Sequence, residues 1–530
     1  MAVSIYGLCP PTGPVLPLAH IPAQSGPSGL TSKLDILAED TNAPWNISTT
    51  SFSLELTSGD GTFFTYHRTA PLRDERGADE VTSDTVYRVA SVTKAFNVLT
   101  LLINARADLD RPVTEFIPEL HGSATYGEIT LRMLASSLSA VPRDGKGFDM
   151  YVRNGAALQQ SGFPIPANED IPMCDSVTGE LCSREEFFDT LLQDSLALLP
   201  GDRAAYSNQA YILLGFALEN ITGKPFVQLV EDSIMKPLNM TSTGFEPPDL
   251  SRASIAVGDG SLFMGFDIGN FKATAGLYST PRDLTTFVQS ILNSTLMSPT
   301  HTRQWLKPVA FTGSLSTAVG MPWEIFRLSN ITPDNRTIDI YTKLGSITGY
   351  SAYIVIIPDY HIGASIIASG DDADAATWGL LDLIATLVVP WADSLTRDQA
   401  RDKYVGEYTN GNESLIISMD QGPGLRIESW TSGSHSILEA LAKERSIPLK
   451  SLYAWIYPVG EGNWWQMALE QTDSGQLDSS LPSSGCTAWT YVDQLRYAGR
   501  PVDKFQFRIE GGNVKGVDNP GLRASYQKVD

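Results

Sequence analysis

The stretch Ser91-Val92-Thr93-Lys94 constrains the fold most, because it opens a run of apolar residues at helical spacing. Val92, Ala95, Phe96, Leu99 and Leu102 recur at three- and four-residue steps, which predicts a helix with one face pressed into a core. On such a helix residues i and i+3 stand one above the other, so the Lys94 amine comes within reach of the Ser91 hydroxyl. That is a nucleophile with its own proton acceptor. If Ser91 lies in the first turn, the unpaired N–H groups and the positive end of the dipole also favour an oxyanion and a lowered lysine pKa. Spacing alone does not single it out, since Ser233 to Lys236 and Ser525 to Lys528 repeat it.

Two further segments offer matching chemistry. The turn-rich run from Pro200 to Asn208 leads into an amphipathic helix, 209–220, and carries a phenol, Tyr206, two residues before a carboxamide, Asn208. The same pair at Tyr408 and Asn410 lies in another region and reads as a turn. Lys343-Leu344-Gly345-Ser346 ends an alternating strand (Ile338, Ile340 and Thr342 on one face) and leads toward an apolar one, Tyr353 to Ile357. A glycine beside a lysine at a strand edge lets a substrate approach closely, with a neighbouring N–H free to point at a carbonyl oxygen.

In this order, Ser-x-x-Lys, Tyr-x-Asn and Lys-x-Gly resemble the signature set of serine β-lactamases and penicillin-binding proteins. With Tyr-x-Asn second, the chain is similar to class C β-lactamases and their esterase, D-peptidase and acyltransferase relatives. The segments Asp108 to Val113, Ile129 to Leu134, Gly223 to Thr241, Ala275 to Pro281 and Ile357 to Asp359 extend the resemblance across roughly Leu30 to Val389. It implies that Ser91 attacks a carbonyl to give a covalent acyl-enzyme, while Lys94 and Tyr206 share the released proton and pass it to the leaving group. It further implies that Lys343 keeps Tyr206 ionisable, that Asn208 holds Lys94 and the substrate amide, and that the backbone N–H groups of Ser91 and Ser346 form the oxyanion hole.

The chain departs from that pattern twice. Leu344 stands where the family usually has a threonine that helps bind a substrate carboxylate, which favours an ester, thioester, lactone or other amide over a β-lactam. Ser136 to Pro142 replaces the common His-Thr-Ser-Gly-Leu-Pro, so an unusual pocket is expected.

Other chemistries are disfavoured. No Gly-x-Ser-x-Gly elbow is present, against an α/β-hydrolase. The six histidines show no zinc-ligand spacing, and neither metal nor other cofactor is implied. A net charge of −22 argues against nucleic acid and anionic membrane as partners.

Seven of the eighteen asparagines begin an Asn-x-Ser/Thr acceptor: Asn46, Asn220, Asn239, Asn293, Asn330, Asn335 and Asn412. Together they predict a eukaryotic secretory glycoprotein, with Asn220 open to shielding within its helix. Cys174 and Cys182 are near enough for a local bridge, leaving Cys9 and Cys486 as a long-range pair; four free thiols are the alternative. No transmembrane span is visible, and Met1 to Leu8 is too short for a signal h-region. The Cys-Pro-Pro-x-Gly-Pro opening resembles the mature N-terminus of secreted fungal β-lactamase-like proteins. A secreted protein is therefore expected, with the cytoplasm as the alternative.

Residues 1–30, rich in proline, should run extended over the surface. A hairpin over Ser51 to His67 should join the strands after Lys343 in one antiparallel sheet, flanked by helices and a helical lobe over 31–395, with 143–184 as a long loop that is either a lid over the pocket or a disulfide-pinned surface excursion. The resemblance implies that this region is an α/β catalytic domain of the serine β-lactamase type. Residues 396–530 alternate in short runs and predict a small all-β barrel or sandwich, where Trp430, Trp455, Trp464 and Trp465 are either a ligand platform or core. The expected activity is a serine hydrolase opening a small-molecule or short-peptide ester or amide. Acyl transfer in a biosynthetic pathway and a catalytically silent binding scaffold are the alternatives, and oligomeric state is left open.

Overall fold

A computed structural model describes residues 10–40, 42–145, 149–171, 174, 181–460, 462–471 and 488–529. The predicted hairpin forms, with β1 (Ser51–Ser58) and β2 (Gly61–Arg68) joined through Gly59-Asp60. It enters an eight-stranded antiparallel sheet with β3 (Ala310–Phe311), β4 (Thr317–Val319), β5 (Glu324–Leu328), β6 (Ile338–Ile347), β7 (Tyr350–Ile357) and β8 (Ile362–Ser369). The order across the sheet is β2-β1-β8-β7-β6-β5-β4-β3. All residues of β1, β7 and β8 are buried, as befits central strands covered on both faces. The strand expected to end at Lys343 continues through it to Ile347, because β7 pairs with it to the turn.

Helices cover both faces. α1 (Leu30–Glu39) buries Leu30 and Leu34 on the face lined by Phe52, Leu54 and Val355. The helical lobe comprises α2 (Thr93–Asn104), α3 (Leu131–Ala135), α4 (Met150–Gln160), α5 (Arg184–Gln193) and α6 (Asn208–Thr222). α7 (Pro281–Leu292) ties the lobe to the sheet: Phe287 stacks on Phe96 of α2 with ring centroids 4.0 Å apart, and a Cβ on Gly363 of β8 would lie 2.3 Å from Val288. The insertion from Arg143 to Arg184 is thus not simply a loop. Asp149 caps α4 by accepting from the N–H groups of Tyr151 and Val152, and Ser183 with Glu186 forms a capping box on α5. Cys174 and Cys182 are bridged, whereas Cys9 and Cys486 lie outside the described residues.

After the sheet, α8 (Ala373–Leu383) and α9 (Val389–Tyr404) are joined by a π-helical turn at Ile384–Val388. The run is long and apolar enough to cross a membrane, but Leu380, Ile384 and Val389 pack into the core beside the sheet. Its second half is tied down by charge: Arg397 donates to Asp393 and Asp334, and Arg336 donates to the same two carboxylates and to Tyr360. Arg397 also donates to the Gly422 carbonyl, linking this buried cluster to the C-terminal strands.

Those strands form a closed barrel: β9 (Gly406–Asn410), β10 (Glu413–Ser418), β11 (Leu425–Ser432), β12 (Leu452–Pro458), β13 (Trp464–Gln471), β14 (Lys504–Glu510), β15 (Asn513–Asn519) and β16 (Ala524–Lys528). The order is β10-β9-β16-β15-β14-β13-β12-β11, and β10 pairs with β11 to close it. Trp430, Trp455 and Trp465 are at most 1% exposed and fill its interior, so they are core rather than a ligand platform. Trp464 alone of the four is part exposed. Tyr408 and Asn410 lie in β9, not in a turn, and the Tyr408 hydroxyl donates to the Tyr404 carbonyl.

Candidate active site

Ser91 sits in a 3₁₀ turn, Ala90–Val92, immediately ahead of α2 rather than inside its first turn. Ala90 adopts φ 42°, a left-handed conformation that costs an alanine about 1–3 kcal/mol. Packing holds that turn: a Cβ on Gly345 of β6 would lie 2.0 Å from the Val89 carbonyl and 2.9 Å from the Ser91 nitrogen. Only glycine at 345 lets the strand edge approach the serine so closely, which is also how Ser346 is delivered beside Ser91. Arg88, buried just before the turn, stacks 4.2 Å from the Tyr278 ring and donates to the carbonyls of Phe263 and Phe266.

The side chains predicted from three separate segments meet at the Ser91 hydroxyl. Lys94 Nζ donates to Ser91 Oγ at 2.9 Å, and the Tyr206 hydroxyl donates to the same oxygen at 2.9 Å. Lys94 also donates to Asn208 Oδ1 at 2.7 Å and to the Thr274 carbonyl at 3.1 Å. Lys343 Nζ lies 5.4 Å from the centre of the Tyr206 ring. By contrast, the exposed Lys236 of the second Ser-x-x-Lys spacing pairs with Asp232, and Ser525 of the third bonds Asp518.

Electrostatics follow from this crowding. Burial pulls the Lys94 ammonium down to about 8, with Lys343 pushing the same way and the Tyr206 phenol opposing both. Burial alone would raise the phenol, but Lys94 and Lys343 outweigh it and leave Tyr206 below its ordinary value. Burial would likewise lower Lys343, yet Glu324 and then Tyr206 hold it above the usual lysine range. Groups this close titrate as one set.

Three contributors escaped the sequence reading. Asp144 accepts from Asn208 Nδ2, fixing the amide so that its oxygen faces Lys94. Glu324 accepts from Lys343 Nζ and from the Leu344 N–H. Arg143 lies 4.8 Å from the Tyr206 ring centre, and its carbonyl accepts from the Asn208 N–H. The unusual Ser136 to Pro142 loop carries the phenol's segment: the Ser137 carbonyl accepts from the Ala205 N–H, and that of Pro142 from the Ser207 hydroxyl. No motif spacing flags Asp144 or Glu324, since both reach their partners only through the tertiary fold. Ser346 is exposed, and its hydroxyl donates to Asp374.

All seven asparagines of the Asn-x-Ser/Thr acceptors are exposed, Asn220 included, although Asn220 and Asn293 each donate their side-chain amide to a backbone carbonyl. Among the described residues no cluster of three histidine, cysteine or acidic side chains has the arrangement of a metal site.

A family model described as Beta-lactamase matches residues 58–386, and one described as Beta-lactamase-like-like, C-terminal domain, matches residues 396–530. A beta-lactamase-like protein of Arthroderma benhamiae is 32% identical, with 100% of this chain and 97% of that protein covered. A probable hydrolase, M10, of a Phoma species is 26% identical over 90% of this chain and 84% of its own. The D-alanyl-D-alanine-carboxypeptidase/endopeptidase AmpH of Escherichia coli is 28% identical over 54% of this chain and 71% of its own.

Proposed function

The chain belongs to the beta-lactamase family, and from that premise we propose that it is a serine hydrolase that opens an ester or amide through an acyl-enzyme on Ser91. The observation that carries this reading is the double hydrogen bond at Ser91 Oγ, from Lys94 and from Tyr206, both at 2.9 Å. Two bases of lowered proton affinity at one hydroxyl are what a nucleophile needs near neutral pH.

In this mechanism the coupled Lys94–Tyr206 pair first loses one proton, and the Ser91 proton then moves onto it as Oγ attacks the carbonyl carbon. The developing oxyanion is met by the N–H groups of Ser91 and Ser346, each worth about 3 kcal/mol in such sites. The C–O or C–N bond breaks as the pair returns the proton to the leaving group, and water then cleaves the acyl-enzyme by the same route in reverse order. Lys343 stabilises the phenolate form of Tyr206, and Asn208 keeps Lys94 in place. The exposed sequons and the Cys174–Cys182 bridge support the companion proposal that the protein is a secreted glycoprotein.

Incubation with a fluorophosphonate followed by intact-mass measurement tests the reading. One adduct, absent in Ser91→Ala, is expected; an unmodified wild-type chain, or equal labelling of the variant, overturns it. Product analysis with an added alcohol then separates hydrolysis from acyl transfer.

A further inference from the structure

Glu324 opens β5, opposite Thr342 of β6. Its carboxylate is bidentate: Oε1 accepts from Lys343 Nζ at 2.6 Å and Oε2 from the Leu344 N–H at 2.8 Å. Lys343 spends a second donor on the Leu344 carbonyl, also at 2.6 Å. The lysine side chain is 2% exposed and that of Glu324 is 35% exposed, so an incoming group meets the carboxylate before the ammonium. The Leu344 side chain, where a hydroxyl would serve an anion, supplies no donor. Arg143, a further cation beside the phenol, is paired with Asp144 at 3.1 Å.

Before any substrate arrives, Lys343 and Arg143 are thus each already paired with a carboxylate, Glu324 and Asp144. A substrate carboxylate near Lys343 would arrive beside a carboxylate that already holds both local donors, and like charges in a partly desolvated site repel strongly.

We propose that Glu324 occupies the position of a substrate carboxylate and makes the site selective for neutral acyl donors, esters or amides with no free carboxylate beside the scissile bond. This rests on the Ser91 acyl-enzyme proposed above. Glu324 is a specificity residue: it excludes anions through Lys343 and takes no part in bond making.

The test compares matched substrates, a dipeptide with a free C-terminal carboxylate against its carboxamide, and a penicillin against its methyl ester. The wild-type protein is expected to favour the neutral member at least about tenfold in kcat/KM, the size of a single misplaced charge. Glu324→Gln, which keeps a carbonyl acceptor for the Leu344 N–H, is expected to shrink that preference about tenfold by raising kcat/KM for the anionic member. Leu344→Thr alone is expected to leave the preference within about threefold, and to add to the gain in the Glu324→Gln background. Equal use of both members by the wild type overturns the inference without recourse to any variant, as does an unchanged ratio in a folded Glu324→Gln protein. Fluorophosphonate labelling run in parallel separates the two claims: no adduct removes the acyl-enzyme, whereas an adduct with an unchanged ratio removes only the role of Glu324.

Discussion

Asp144 is the most informative residue to remove, because its loss should slow the reaction and shift its pH dependence in a direction that packing damage alone does not produce. Asp144 accepts from Asn208 Nδ2 at 2.5 Å, and Asn208 Oδ1 accepts from Lys94 Nζ at 2.7 Å. Without the carboxylate the Asn208 amide is free to turn its NH₂ toward the ammonium, donor against donor. A hydrogen bond to a charged group contributes roughly 2 kcal/mol; lost from the transition state, that is about a 30-fold fall in the plateau rate. Asp144 also favours the charged form of Lys94, which stands at about 8. Removing its negative charge lowers the lysine further, so the rising limb of the pH–rate profile should move to lower pH while the plateau falls. The assay is the second-order rate of fluorophosphonate labelling from pH 5 to 10. Asp144→Asn keeps an acceptor without the charge, and should show the same acid shift with a smaller loss. A plateau within twofold of wild type, or a limb that stays or moves alkaline in Asp144→Ala, refutes the reasoning.

Lys343→Met removes one of the two cations that bring the Tyr206 phenol down, so its rising limb should move to higher pH, opposite to Asp144→Ala; a limb that moves to lower pH would count against the assigned role. Gly345→Ala places a methyl 2.0 Å from the Val89 carbonyl and should push β6 off the Ser91 turn, cutting labelling about a hundredfold, the usual loss when one oxyanion donor is misplaced. Labelling at wild-type speed would show that the strand edge is dispensable. Burial pushes the Asp359 carboxyl up from 3.8 to about 6 against the pull of Arg336. A raised acid contributes stability that is whole below the unfolded value and lost as pH rises through the folded one, so the wild type loses about 3 kcal/mol from this group between pH 3 and 7. Asp359→Asn should gain by that amount relative to wild type over the same span in urea unfolding; a constant difference between the two proteins would refute it.

The local parts of this design are written in the sequence, and the reason is geometric. Ser91 and Lys94 are three residues apart on one helical run, Tyr206 and Asn208 flank the start of α6, and the Lys343 motif lies within one strand. Each spacing is set by backbone geometry alone. The hairpin at Gly59-Asp60 and the all-β character of the C-terminal region were legible for the same reason, since alternation and turn residues act over a few positions, whereas closure into a barrel rather than a sandwich rests on the pairing of β10 with β11. The insertion from Arg143 to Arg184 reads as a loop in the sequence because α4 takes its start from a single Asp149 cap amid turn-forming residues.

What stayed hidden is the set of side chains that tune those motifs. Glu324 meets Lys343 because β5 and β6 pair in a register that sets Glu324 against Thr342, and Asp144 meets Asn208 because the Ser136 to Pro142 loop is stitched to the segment before α6. A carboxylate can serve such a role from any position the fold brings near, so no spacing records it. On the proposed mechanism the motif residues make Ser91 reactive toward any carbonyl that reaches it, and on the proposed role of Glu324 that residue and Leu344 decide which carbonyls do. Swapping the pair for glutamine and threonine therefore ought to change the preferred substrate more than the chemistry. The measurable form of that claim is a change in the neutral-to-anionic ratio of kcat/KM larger than any change in the labelling rate at Ser91.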